Sequence, residues 1–199
     1  PAAPRRREAP VGTPNMALRQ GFEDIELTMP NNETTAEVFR RVDMNGNGLL
    51  SLAELDKAVT QVWPRFNNKP VIMRAYRACD VDGSGLVSRS EFRLFLKFLQ
   101  RYQQLYTAFQ RIDVDGDGRL TLVELLNRAN AIGLGNRSPE DLRAFFRRAD
   151  KNNGGVILFE EFADAVVGTE IEAARQHLRS RMRAVSKEPP KRPLFLEFP

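Results

Sequence analysis

Between Asp113 and Glu124 the chain sets side-chain oxygens on Asp113, Asp115, Asp117, Thr121 and Glu124, with Gly118 in their midst. Carboxylates crowded at alternate positions repel one another unless a cation shares them. Calcium, a hard ion that takes about six to eight oxygens, fits this spacing, with the main-chain carbonyl of Arg119 as a further ligand and both oxygens of Glu124 closing the shell. Gly118 stands where the chain must turn sharply and a side chain would obstruct it. The carboxylates are therefore read as ligands rather than as acids and bases. No nucleophile, base and orienter set stands out elsewhere, so no catalysis is expected.

The pattern recurs along the chain, which marks an array of one supersecondary unit. Loop one offers Asp43, Asn45, Asn47, the Leu49 carbonyl, Ser51 and Glu54. Loop two offers Asp80, Asp82, Ser84, the Leu86 carbonyl, Ser88 and Glu91. Loop three is the stretch already described. Loop four offers Asp150, Asn152, the Val156 carbonyl and Glu161, but has Gly154 and Leu158 where the others carry an oxygen. Charge and ligand completeness rank the loops, with three the strongest, two next and one weaker. Loop four is expected to hold calcium weakly or not at all and to brace loop three. Carboxylate-rich sites also accept magnesium, which is an alternative occupant of loop three.

Helices must hold these loops. The residue before each first ligand, and those four, five and eight before it, lie on one face of a 3.6-residue period. They read Val42, Phe39 and Val38 with a non-matching Thr35, then Cys79, Tyr76, Ala75 and Ile72. The later pair reads Ile112, Phe109, Ala108 and Leu105, then Ala149, Phe146, Phe145 and Leu142. All are expected in the core, and Cys79 as a buried thiol that forms no disulfide. Pro70 suits a first helical turn, and Ser138 to Asp141 reads as a capping box. Leu50, Val87, Leu120 and Ile157 occupy one loop position and should meet across short antiparallel bridges. Asp43 to Asp80 and Asp113 to Asp150 are equally spaced while Asp80 to Asp113 is shorter, so loops one with two and three with four make the pairs. Ser90 to Ile112 contains neither Gly nor Pro and reads as one helix, about 34 Å long at about 1.5 Å per residue. Its broad apolar stripe is expected to be covered, by the lobes or by a partner.

From Thr34 to Val167 the chain resembles the calmodulin superfamily of EF-hand proteins. More narrowly, Ser90-Glu91-Phe92-Arg93-Leu94 and the tyrosine-bearing helix running into Phe109-Gln110-Arg111-Ile112-Asp113 look like flagellar calcium-binding proteins of the calflagin type. The resemblance implies an all-α fold of two paired EF-hand lobes joined by a long helix, with β-bridges between paired loops and extended tails. The divisions expected are a basic arm over 1–32, the first pair over 33–98, the second over 99–168, and a basic helix with a Pro-rich tail over 169–199. It also implies calcium signalling or a structural place in a cilium or flagellum. An acylated glycine start is not expected, because the chain opens Pro1-Ala2-Ala3-Pro4. Methionine-lined promiscuous grooves are not expected either. Leu55, Val59, Phe92, Phe95, Leu125, Phe162 and Val166 line the grooves instead, which suits a fixed partner.

The formal net charge is +4, unusual for a chain with four acidic loops. The excess sits at the ends, in Arg5, Arg6 and Arg7 and again in Arg175, Arg179 and Arg183, which repeat every four residues. Thr169 reads as the cap of a last helix carrying that stripe. Two readings of the stripe stand, a solvated face and a grip on an acidic protein surface. No groove-reading module accompanies it, so nucleic acid is not an expected partner. The Pro-rich arm should be disordered in isolation, and Phe22, Ile25 and Leu27 form a small apolar patch. The tail should be extended and end on apolar residues that seek a groove. The apolar runs are too short and too broken by charge to span a membrane. These features predict a cytoplasmic, calcium-binding adaptor of a cytoskeletal assembly, with tubulin or another acidic protein as partner, and the calflagin-type resemblance implies that the assembly is a cilium or flagellum. A calcium sensor that docks a target helix in a lobe groove is the alternative.

Overall fold

The computed structural model describes residues 27–29 and 33–187. Expectations for the arm, for Phe22 and Ile25 and for the tail from residue 188 lie outside these residues. The chain divides into two units. The first holds residues 29–98 and the end of the last helix from Glu170, and the second holds Leu99–Thr169.

In the first unit α1 (Thr35–Val42) and α2 (Leu52–Val62) flank loop one, and α3 (Lys69–Cys79) leads into loop two. Helix α4 (Arg89–Ile112) leaves loop two and continues into the second unit. Each start has a local cause. Thr34 caps α1 in a box with Glu37, Ser51 caps α2 in a box with Glu54, and Pro70 sits in the first turn of α3. The apolar faces then meet: Val38, Phe39, Leu55, Ile72, Phe92 and Phe95 are all buried. Phe39 meets Phe92 edge-on, with ring centroids 5.5 Å apart. A 3₁₀ turn over Pro64–Phe66 folds Trp63 and Phe66 into this core. Strands β1 (Leu49–Leu50) and β2 (Val87–Ser88) pair antiparallel, with Leu50 opposite Val87.

The second unit repeats the plan. Helix α5 (Leu122–Arg128) follows loop three, capped by Thr121 in a box with Glu124, and a 3₁₀ turn over Ala129–Ile132 closes on Gly133. Helix α6 (Pro139–Ala149) begins at the Ser138–Asp141 capping box and leads into loop four. Strands β3 (Arg119–Leu120) and β4 (Ile157–Leu158) pair with Leu120 opposite Ile157. Phe162 packs edge-on against both Phe109 and Phe145. The long helix is thus covered within each unit, with its own Phe92 and Phe95 buried at one end and its Leu105, Phe109 and Ile112 buried at the other.

Two expectations need correction. Thr169 does not cap a separate helix, because α7 (Phe159–Lys187) runs unbroken through Gly168 and Thr169. Tyr76 is not a core residue: it is half-buried, and its hydroxyl donates to the carbonyl of Gly85 in loop two. Cys79 is fully buried, as its position implied, and its thiol donates to the Tyr76 carbonyl at 3.2 Å. Burial, with Glu91 and Asp80 behind it, pushes that thiol far up, so it remains protonated.

Candidate metal centres

Each loop is first a network of hydrogen bonds that turns its carboxylates inward. In loop three the amide of Gly118 donates to Asp113 Oδ2 at 3.0 Å and that of Gly116 to Asp113 Oδ1 at 2.9 Å. Asp117 and Arg119 donate to Asp115 and Asp117 in turn. Gly118 holds φ at 78°, a left-handed value that a side chain would strain. The other loops repeat the bond from the sixth residue to the first carboxylate, as Gly48 to Asp43, Gly85 to Asp80 and Gly155 to Asp150.

The closing glutamate belongs to loop and helix together. Thr121 is the N-cap of α5, and its amide and hydroxyl donate to Glu124 Oε2 at 2.9 and 2.7 Å. Glu124 Oε1 accepts from the amide of Val114, the second loop residue, at 2.9 Å. Ser88 treats Glu91 in the same way, and Val81 donates to Glu91 Oε1 at 2.8 Å. Glu91 is wholly buried. In loop one Ser51 caps onto Glu54, whose other oxygen accepts from Asn45 Nδ2 at 3.2 Å. The ninth loop residue is thus both an expected ligand and a helix cap. Leu158 supplies neither function: Glu161 Oε2 accepts from the Leu158 amide at 3.0 Å with no hydroxyl beside it, while Oε1 accepts from the amides of Lys151 and Asn152.

These donors set the charge. The amide and hydroxyl of Ser51 hold Glu54 below the usual carboxylate range, and the hydroxyl and amide of Ser84 do the same for Asp82. Burial alone would raise Glu124, but donation from Thr121, Val114 and Asp115 outweighs it and leaves the group lowered. Carboxylate oxygens of Asp80, Asp82 and Glu91 lie within 4.8 Å of one another, as do those of Asp113, Asp115 and Asp117. Asp43 Oδ1 in loop one is buried without a hydrogen-bond partner. Converging anionic oxygens and an orphaned one suit a hard divalent cation.

Residues 102–167 match the family described as EF-hand domain pair, and residues 35–59 and 77–96 match the one described as EF hand. The chain is an EF-hand calcium-binding protein of the calmodulin-like superfamily. Over 165 residues this EF-hand protein is 32% identical to calcium-dependent protein kinase 9 of Oryza sativa subsp. japonica, which covers 80% of this chain and 28% of the kinase. Over 165 residues it is 27% identical to calcium-dependent mitochondrial ATP-magnesium/phosphate carrier protein 3 of Arabidopsis thaliana, covering 82% of this chain and 32% of the carrier. A solved homologue of programmed cell death 6 protein from Leishmania major Friedlin is 26% identical, with a TM-score of 0.37 over 68% of this chain and 72% of that one. The chain spans about a quarter to a third of the length of the curated relatives it matches. Among the described residues no helix is long and apolar enough to cross a membrane.

The structure brings together the carboxylates of loops two and three and frames loops one and four in the same turn. Sequence reasoning missed Tyr76, Arg175 and Arg179. Arg175 Nη1 donates to the carbonyls of Arg77 and Ala78, its Nη2 to that of Asp80, and Arg179 Nε to that of Val81. The signal was present, since two cations one turn apart suit the negative end of a helix such as α3. From the sequence the stripe stands open between a solvated face and a grip on an acidic protein surface, and neither reading is a grip on this chain's own carbonyls.

Proposed function

We propose that this EF-hand protein is a calcium-responsive regulatory module, without catalysis of its own, that engages a target helix when a lobe opens. The carrying observation is the place of the closing glutamates. Glu91 is bonded to loop two while the next residue, Phe92, lies in the core, and Glu124 and Leu125 stand in the same relation. Drawing the glutamate onto an ion therefore turns the start of the exiting helix and moves its apolar face. Leu55, Val59, Phe92 and Phe95 of the first lobe, and Leu125, Phe162 and Val166 of the second, are buried, so a target reaches them only after such a movement.

The ligands proposed are those read from the spacing. Loop two uses Asp80, Asp82, Ser84, Ser88, Glu91 and the Leu86 carbonyl; loop three uses Asp113, Asp115, Asp117, Thr121, Glu124 and the Arg119 carbonyl. Loop one is weaker, with amides in place of two carboxylates. Loop four acts chiefly as a brace through Ile157 against Leu120. One relative named above is a kinase and another a carrier, both calcium-dependent by name. What they share by name is dependence on calcium rather than a target, which supports a regulatory reading. The adaptor reading, with tubulin or another cytoskeletal partner in a cilium or flagellum, rests on the calflagin-type resemblance and the basic ends. Two arginines of its stripe, Arg175 and Arg179, are engaged with this chain's own carbonyls.

An apolar dye whose fluorescence rises on exposed hydrophobic surface tests the proposal. Calcium added to the full chain should raise the signal, and magnesium at the same concentration should raise it far less. Equal, flat responses to both ions would remove the sensor reading while leaving calcium binding intact.

A further inference from the structure

Beside loop two lies a groove of about 610 Å³ that shares only Ser88 with the proposed calcium ligands. One wall is β2 and the start of α4, through Ser88, Arg89, Ser90 and Arg93; the other is the far part of α7, through Leu178, Arg181 and Met182. Both walls belong to the first unit. Arg175 and Arg179, on the same stretch of α7, fasten it to the carbonyls of α3 and loop two, so the second wall is held rather than hanging free.

Three guanidinium groups and no carboxylate line the groove among the described residues. Arg89 is steadied over the ring of Phe39, 5.7 Å from its centroid. Arg93 and Arg181 are exposed, and among the described residues neither has an ion-pair partner. Cations gathered in this way repel one another until an anion shares them. Leu178 and Met182, one helical turn apart, add an apolar strip, and methionine adapts to side chains of irregular shape.

We infer that this groove docks an acidic peptide segment, with its carboxylates on Arg89, Arg93 and Arg181 and an aliphatic side chain on Leu178 and Met182. Guanidinium forks match carboxylates two bonds at a time, which favours this occupant. The apolar strip gives a peptide side chain a seat that a bare phosphate chain would leave empty. Among the described residues no aromatic ring lines the groove on which a nucleic-acid base could stack. The net charge of +4 draws acidic partners toward the chain over longer range. The site lies apart from the lobe interiors used by the proposed sensor and takes its partner through side chains that hold no ion.

The test titrates the full chain into a fluorescein-labelled peptide of repeating glutamate and leucine and follows polarisation, with calcium calorimetry on every variant. The proposal expects saturable binding that falls at least about tenfold in the double variant Arg93→Gln/Arg181→Gln, as loss of charge-assisted hydrogen bonds implies. It expects a further loss in Leu178→Ser and an unchanged calcium isotherm throughout. Undiminished binding by the double variant overturns it. So does equal binding of a glutamate-only peptide, which would leave general charge attraction, or tighter binding of phosphatidylserine vesicles or single-stranded RNA. If the melting curve shows the double variant unfolded, Arg181→Gln alone decides: weaker binding supports the groove and unchanged binding overturns it.

Discussion

Arg175 donates through Nη2 to the main-chain carbonyl of Asp80 at 3.3 Å, so a residue of the last helix grips the first residue of loop two. Its Nη1 reaches back to the carbonyls of Arg77 and Ala78, which the end of α3 leaves without helical partners. Glu172 lies 3.6 Å from both Arg175 and Arg179 and orients the pair. The end of α7 is therefore fastened to the first lobe by charge-assisted bonds at the negative end of a helix dipole.

Removing that grip should free the end of α7. Arg175→Ala is expected to lower stability by about 1.5–3 kcal/mol, since the side chain is largely covered and its acceptors lose their donor. Amide hydrogen exchange should quicken over residues 170–183. Arg175→Lys cannot span the same carbonyls and should behave nearly as badly. Unchanged protection in that segment would show that the bonds do not hold the helix.

Loop four lacks a cap as well as a ligand. Leu158 is exposed, so Leu158→Ser sacrifices little packing and places a hydroxyl beside Glu161, as Ser51 and Ser88 do beside theirs. The expected gain is about 1 kcal/mol in thermal or urea melts. With Gly154→Asp added, calcium calorimetry should register a further ion bound per chain. Asn152 Oδ1 would lie 2.6 Å from the new Cβ and must swing aside, which a side-chain end can do. A Leu158→Ser chain that melts lower than the parent would refute the capping argument.

Much of this was legible before the structure. Calcium demands oxygens at fixed loop positions, so Asp113 to Glu124 and its repeats announce themselves, as do the bridges of Leu50 to Val87 and Leu120 to Ile157. The Ser138 box was legible because a cap is chosen by its immediate neighbours. Arg175 and Arg179 were not, because their acceptors are carbonyls nearly half the chain away and no local pattern names them. Gly168-Thr169 misled for the opposite reason. It carries a stop-and-cap signal worth only about 1 kcal/mol, and the continuing hydrogen-bond ladder, buried Ile171 and gripped Arg175 outweigh it. Tyr76 lay at a core position of the helical period, yet its hydroxyl found Gly85.

That internal glycine leads to its own prediction. Gly168 sits inside α7 with no atom within 4 Å of an added Cβ, so Gly168→Ala should meet no clash. It should stabilise the helix by about 0.5–1 kcal/mol, read as a higher melting temperature. A lower one would mean that the position needs glycine for a reason other than space.

The first helix should report acidity. The amide and then the hydroxyl of Thr34 donate to Glu37 and hold its carboxyl below the ordinary value of 4.5. A lowered folded-state value means that this contribution is complete above pH 4.5 and fades as pH falls through the folded value. Thr34→Ala should return the Glu37 titration toward the ordinary value, measured by carboxyl carbon shifts in NMR. An identical titration in the variant would show that the cap does not set it.

Calcium calorimetry on the full chain and on Glu124→Gln tests the central claim most directly. The parent should take up calcium with loop three among its tightest sites, and the variant should lose that phase while retaining the weaker ones and its fold. No heat with the parent at millimolar calcium, or an isotherm unchanged by Glu124→Gln, would contradict the account.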